Sequence, residues 1–259
     1  MTPAIPGLAI VTQFPRIHAK HRVTPFVILF IERDGSTFLT SLLASHPEIK
    51  AVYERFAVMR QKGETAAGQL AWARSFLTPP WVGRAAACGF KTKLVDVLDR
   101  EGLAELLCEK RCHVLQMVRR NLVKAVVSRI NARRLHEASG NWNLYRDEDR
   151  MPPLAIDPQE FAAYLQERVQ AERELDDYVE RLDLPTLRLA YEDLLLSQHE
   201  SLQRVFGFLR VRPMPLTGKT LKHTSDDLRQ VILNFSELRH PYINTVYGPM
   251  FDEVLLPDA

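Results

Sequence analysis

The stretch Val27 to His46, V-I-L-F-I-E-R-D-G-S-T-F-L-T-S-L-L-A-S-H, joins an apolar run to a polar hinge and then to a helical pattern. Val27 to Ile31 has the length and β-branching of a buried strand. Glu32-Arg33-Asp34-Gly35-Ser36-Thr37 forms the hinge, and Phe38, Leu39, Leu42 and Leu43 recur at helical spacing. A strand, a glycine turn and a helix N-terminus present several backbone N–H groups to an anion, and the helix dipole favours negative charge there. Gly35 permits the tight turn, Ser36 and Thr37 add hydroxyls, and Arg33 adds a permanent forked cation. The same pattern also suits an ordinary βα turn with a Ser or Thr cap. It is not a Walker A loop, since no G-x-x-x-x-G-K-[ST] occurs, and a nucleotide triphosphatase is disfavoured.

The rest of the chain repeats the alternation. Ala86 to Leu94 reads as a second strand ending in Lys91 and Lys93, and Asp96 to Lys110 as a helix. Cys112 to Val118 reads as a third strand ending at Arg119-Arg120-Asn121, followed by a helix over Leu122 to Leu135. Asp157-Pro158-Gln159-Glu160 is a helix start, with Asp at N-cap and Pro at N1. Pro185 closes that helix, Thr186 to Tyr191 is a fourth strand, and His199 to Leu209 and Ser225 to Arg239 are expected helices. Residues Phe56 to Leu77 are helix-prone, with interruptions at Gly63 and Gly68. Alternating strands and helices predict an α/β fold: a single domain with a parallel β-sheet flanked by helices, residues 26–259, after an irregular lead-in over residues 1–25. Ligands of such sheets lie beyond the carboxyl ends of the strands, where Arg33, Lys91 and Arg120 stand.

Composition narrows the classes. With 34 basic and 32 acidic residues the net charge is +2, too small to imply bulk nucleic-acid binding. Cys88, Cys108 and Cys112 make no disulfide framework, and without a companion His or Cys pair no metal site is expected. No apolar run approaches the ~20 residues of a membrane span, so a cytoplasmic protein is expected. The Ser139 to Pro153 stretch, with Trp142 and Tyr145, reads as a long surface loop of the kind that often serves as a lid.

Arg120 and Ser128 are eight residues apart, which puts the serine about two turns into the following helix. Together with the Arg33 to Thr37 hinge this gives two anion stations on neighbouring strands. At this point the chain resembles the sulfotransferases that use 3′-phosphoadenosine 5′-phosphosulfate (PAPS), whose fold is P-loop NTPase-like. Arg33-Asp-Gly-Ser-Thr37 resembles their 5′-phosphosulfate loop, Arg120 to Ser128 their 3′-phosphate motif, and Tyr191-Glu-Asp-Leu194 the strand end whose tyrosine lies near adenine. Ser225 to Asn234 resembles the segment that closes over the nucleotide.

The resemblance implies Arg33, Asp34, Gly35, Ser36, Thr37, Phe38, Arg120, Ser128, Tyr191, Thr224 and Ser225 as cofactor contacts. It implies PAPS as co-substrate and 3′,5′-diphosphoadenosine (PAP) as product, with no metal. His46-Pro-Glu48 followed by Glu54 is similar to the carbohydrate and tyrosylprotein branches and their bacterial relatives, where a glutamate acts as base. Glu54 is thus implied as base and Lys91 as the lysine at the bridging oxygen, with Lys93 as the alternative. The implied partner is a small-molecule, carbohydrate or lipid acceptor hydroxyl, entering past Trp142 and Tyr145; a homodimer is left open. Two departures stand out: Asp34 replaces a Ser or Thr, and Lys124 stands where many members have Asp. The rivals are a kinase-like phosphoryl transferase, which would need a phosphate-loop lysine and a magnesium carboxylate, and a non-catalytic nucleotide-binding protein, which only Asp34 favours.

Overall fold

A computed structural model describes residues 23–78, 85–142, 144, 150–216 and 225–255. Five strands form one parallel sheet: β1 (Thr24–Leu29), β2 (Ile49–Val52), β3 (Ala87–Thr92), β4 (His113–Val118) and β5 (Thr186–Ala190). Their order is β2-β3-β1-β4-β5, with every pairing parallel. The chain leaves β1 toward one edge and returns to its other side at β4. The turn after β1 therefore lies at the switch point where doubly wound sheets bind ligands.

β1 shows why its apolar run is continuous. Phe26, Ile28 and Phe30 pack with helices α1 (Ser36–Ser45) and α8 (Gln198–Leu209) on one face. Val27 and Leu29 pack on the other face with α2 (Arg55–Gln61), α4 (Arg100–Lys110) and α6 (Pro158–Leu182). A strand buried on both faces carries no polar alternation, and each such side chain adds roughly 1.5–3 kcal/mol on burial. Gly89 lies opposite Phe26 in the register, and a Cβ there would sit 2.3 Å from the Phe26 carbonyl oxygen. Only glycine allows β3 to approach β1 so closely.

Several expectations shift. β1 begins at Thr24 and ends at Leu29, and Ile49–Val52, just before Glu54, forms a fifth strand, β2. The Phe56 to Leu77 region divides at Gly63, at φ 72°, into α2 and α3 (Ala66–Phe76); Gly68 lies inside α3, its N–H bonded to the Thr65 cap. Ser225 to Arg239 is not one helix. It holds a 3-10 turn at Leu228–Gln230, an isolated bridge from Ile232 to Leu154, and a short α9 (Phe235–Arg239). Ile232 gains burial by crossing to Leu154, and Asn234 ties down the same crossing through both Ile156 backbone groups.

The remaining helices are α5 (Leu122–Ser139), α7 (Tyr191–Leu196) and α10 (Gly248–Asp252). No helix among the described residues is long and apolar enough to cross a membrane.

Candidate active site

The turn after β1 is held in a conformation that ordinary residues avoid. Arg33 has φ 71° and Gly35 φ 77°, both left-handed. At Gly35 a side chain is excluded twice over, since a Cβ would lie 2.3 Å from the Tyr191 ring. Gly35 is the N-cap of α1 and brings no side-chain cap. The N–H groups of Gly35, Ser36, Thr37 and Phe38 have no hydrogen bond among the described residues. An uncapped N-terminus of this kind is an anion site by geometry and by dipole.

Two arginines, Arg168 buried and Arg119 partly buried, clamp the turn from outside. Arg168 on α6 donates to the Glu32 carbonyl at 2.9 Å and to the Asp34 carboxylate. Arg119 at the end of β4 donates to the Arg33 carbonyl at 3.0 Å. Asp34, expected among the cofactor contacts, is committed within the turn instead: its carboxylate also accepts from the Ile31 N–H at 3.0 Å, and its own N–H goes to the Ile31 carbonyl. Burial pushes the Asp34 carboxyl up to about 6, against the pull of Arg168. Its charge points away from the anion station, and it does not cap α1.

Glu54 enters from the end of β2. Its carboxylate lies 3.0 Å from Lys91 Nζ and 3.5 Å from Lys93 Nζ. The two lysines are two apart at the end of β3 and so share a face. Lys91 is 1% exposed and donates to Thr37 Oγ1 at 2.8 Å and to Ser36 Oγ at 3.3 Å. Lys93 also pairs with Asp96 at 3.4 Å. Lys91 thus touches both the carboxylate and the cradle hydroxyls, whereas Lys93 ties Glu54 to the scaffold.

Burial raises the Glu54 pKa, but the two lysines outweigh it and the net shift is downward. Burial lowers that of Lys91, with Glu54 opposing. Glu48, the other carboxylate of the His-Pro-Glu segment, is taken by Arg212, with 2.6 Å to its Nε.

Ser128 and Arg33 meet: Arg33 Nε donates to Ser128 Oγ at 2.9 Å, so the two expected stations adjoin. Burial, then the neighbouring Arg119, lowers the Arg33 pKa to about 10. Arg120 is placed differently from expectation. Its exposed guanidinium makes a bidentate pair with Asp193, one arm at 2.7 Å. The adjacent Arg119 is the one turned inward, 4.9 Å from the Tyr191 ring centroid, and its Nε has no hydrogen-bond partner among the described residues. Reading the sequence did not single out Arg119. Both faces of a central parallel strand are buried, so alternation gives no clue to which of two adjacent arginines turns inward.

Lys124 is buried and pairs with Asp226 at 3.1 Å, tying α5 to the segment that follows Ser225. Ser225 Oγ donates to Gln230 Oε1 at 2.9 Å. Trp142 is an anchor: its ring stacks on His136 at 4.1 Å and its carbonyl accepts from Arg33 at 3.2 Å. Thr224 and Tyr145 lie outside the described residues. Phe38 is partly buried against the α1 core. Among the described residues no group of three or more His, Cys, Asp or Glu side chains is arranged to hold a metal ion.

No family model matches the chain. Over 245 residues it is 23% identical to Nodulation protein H of Rhizobium tropici, with 91% of this chain and 96% of the relative covered. Among solved structures, that of mouse sulfotransferase SULT7A1 complexed with PAP covers 86% of this chain and 79% of its own at 15% identity, with a TM-score of 0.30. The turn after β1 offers groups that fit an anionic ligand such as the 5′ end of PAPS: four open N–H groups, with the Ser36 and Thr37 hydroxyls held by Lys91. Arg120, expected at the 3′-phosphate, is held by Asp193.

Proposed function

We propose that the chain transfers a sulfuryl group from PAPS to an acceptor hydroxyl, with Glu54 as general base. The observation that carries this reading is the run of contacts from Glu54 through Lys91 to Ser36 and Thr37. A base, a buried cation and an uncapped helix N-terminus lie in one continuous line.

When bound, the nucleotide supplies an activated sulfuryl group and departs as PAP. Gly35, Ser36, Thr37 and Phe38 would hold its 5′ end through their N–H groups, with Arg33 alongside. Ser128 and Arg120 would hold the 3′-phosphate, and Tyr191 and the Thr224–Ser225 segment the adenosine side. Lys91 stays protonated beside the leaving oxygen and offsets the charge that builds there, a term commonly worth ~3 kcal/mol per donor. Glu54, ionised at neutral pH by its two lysines, accepts the acceptor's hydroxyl proton. The acceptor is a small-molecule, carbohydrate or lipid hydroxyl, and a cytoplasmic setting suits the three unpaired thiols.

The non-catalytic alternative loses its one support, because the Asp34 charge faces Arg168 and not the cradle. Incubation with labelled PAPS and an extract of acceptors, with and without magnesium, tests the proposal. Label transfer independent of magnesium is expected. Phosphoryl transfer that requires magnesium would replace this reading with the kinase-like one.

A further inference from the structure

A cleft of about 260 Å³ opens beside the site, and none of the residues assigned to the nucleotide lines it. Its walls are Phe30 and Ile31 from the end of β1, Leu94 and Val95 after β3, Ala125 and Val126 on α5, and Tyr164, Ala171 and Leu175 on α6. Two of its features belong to the catalytic line. Lys93 lines the cleft and reaches Glu54 at 3.5 Å, and the Phe30 ring lies 4.9 Å from Lys91 Nζ. A group seated here lies against Lys93, one side chain away from Glu54.

The charged side chains around the cleft are already engaged with one another. Arg129 pairs with Glu32 at 2.9 Å and Glu167 at 2.8 Å, and its guanidinium covers the Tyr164 ring at 4.2 Å. Arg100 pairs with Glu174 and donates to the Leu94 carbonyl. Arg168 is spent on Asp34, Glu172 and the Glu32 carbonyl. The unengaged surface is apolar, and a polyhydroxylated ring would lose its water there without gaining partners, which is costly.

We infer that this cleft binds the apolar, uncharged body of the acceptor, an aryl or compact alkyl group whose hydroxyl reaches Glu54 past Lys93. Its volume lies below the roughly 300–1,000 Å³ of sites for drug-sized ligands, so it seats one ring system or a short branched chain. This inference rests on the transferase reading and narrows its acceptor class.

The test uses 2-naphthol and cellobiose as acceptors, with PAP binding measured separately by calorimetry. Ala171→Phe fills the cleft, and Val95→Asp, at a residue 59% exposed and so safe for folding, charges its rim. The expected result is naphthol binding and sulfation by the wild type, weakened about tenfold or more in both variants, with PAP affinity unchanged and cellobiose inert. Cellobiose turned over as well as naphthol, or naphthol binding untouched by both variants while PAP still binds, would overturn the cleft assignment and leave the transferase reading standing. Failure of the wild type to bind PAP would overturn the transferase reading, and the acceptor role of the cleft with it.

Discussion

The Asp34 carboxylate lies on the Arg168 guanidinium, across 134 residues of sequence, with both side chains almost completely buried. The residue that departs most from the sulfotransferase pattern is thereby removed from the anion station and made part of the turn's support. Breaking one side of a buried pair costs ~3–5 kcal/mol, because the other charge is left without its partner. Arg168→Met and Asp34→Ser should each lower stability by amounts of that order, and the double variant by much less than their sum. Denaturant unfolding of the four proteins measures this coupling. Additive losses would mean that the two side chains do not depend on one another.

Asp34 also carries a pH signature. Its folded value of about 6 lies above the ~3.9 of an unfolded aspartate. The folded chain therefore holds this proton more tightly, and the Asp34 contribution to stability falls as pH rises from about 4 to about 6, then levels off. Asp34→Asn should lack this slope, although it is less stable throughout. Unfolding midpoints of both proteins between about pH 4 and about pH 7 check it; parallel curves would contradict it.

These two residues mark the limit of what the sequence alone discloses. β1, β3 and β4 with their helices were legible because apolar runs, caps and prolines are local signals, as in the Asp157 cap that accepts from the Gln159 N–H. Glu54, Lys91 and the hinge were singled out through the motif pattern, and Lys91 lies within hydrogen-bonding reach of both Glu54 and Thr37. The partners of Asp34 and the inward turn of Arg119 were not, since both depend on which elements pack together in space. The segment from Ser225 to Arg239 misled for a related reason. Its helical spacing competes with the burial of Ile232 against Leu154, and tertiary packing decides.

In the proposed function Arg120 leaves Asp193 to reach the 3′-phosphate. Arg120 is 59% and Asp193 38% exposed in the side chain, and pairs this open contribute ~0–1 kcal/mol. Asp193→Asn should therefore tighten PAP binding by up to about fivefold, whereas Arg120→Ala should weaken it. Calorimetry with PAP on both variants decides. Unchanged affinity in Arg120→Ala would remove that arginine from the 3′-phosphate site.

Gly35→Ala tests the turn itself. Its left-handed φ alone costs ~1–2 kcal/mol for a residue with a Cβ, and the Tyr191 ring must also move. Both melting temperature and PAP affinity should fall. A variant that melts like the wild type and binds PAP equally well would show that the tight turn is not what shapes the station.

The central claim is that Glu54 takes the acceptor proton, and Glu54→Gln tests it most directly. The amide keeps the shape and cannot accept the proton, so turnover on an alkyl alcohol should fall by ~10²–10⁴. PAP affinity should hold or rise slightly, because Lys91 then has no competing carboxylate. Since the two lysines hold the Glu54 pKa below its ordinary value, wild-type activity should be flat through neutral pH. It should drop only on the acid side, as Glu54 takes up a proton. The measurement is single-turnover sulfation of an alkyl alcohol by wild type and Glu54→Gln at saturating PAPS. A loss of that size with PAP binding intact is the predicted result, and near-normal turnover in the variant would contradict the account.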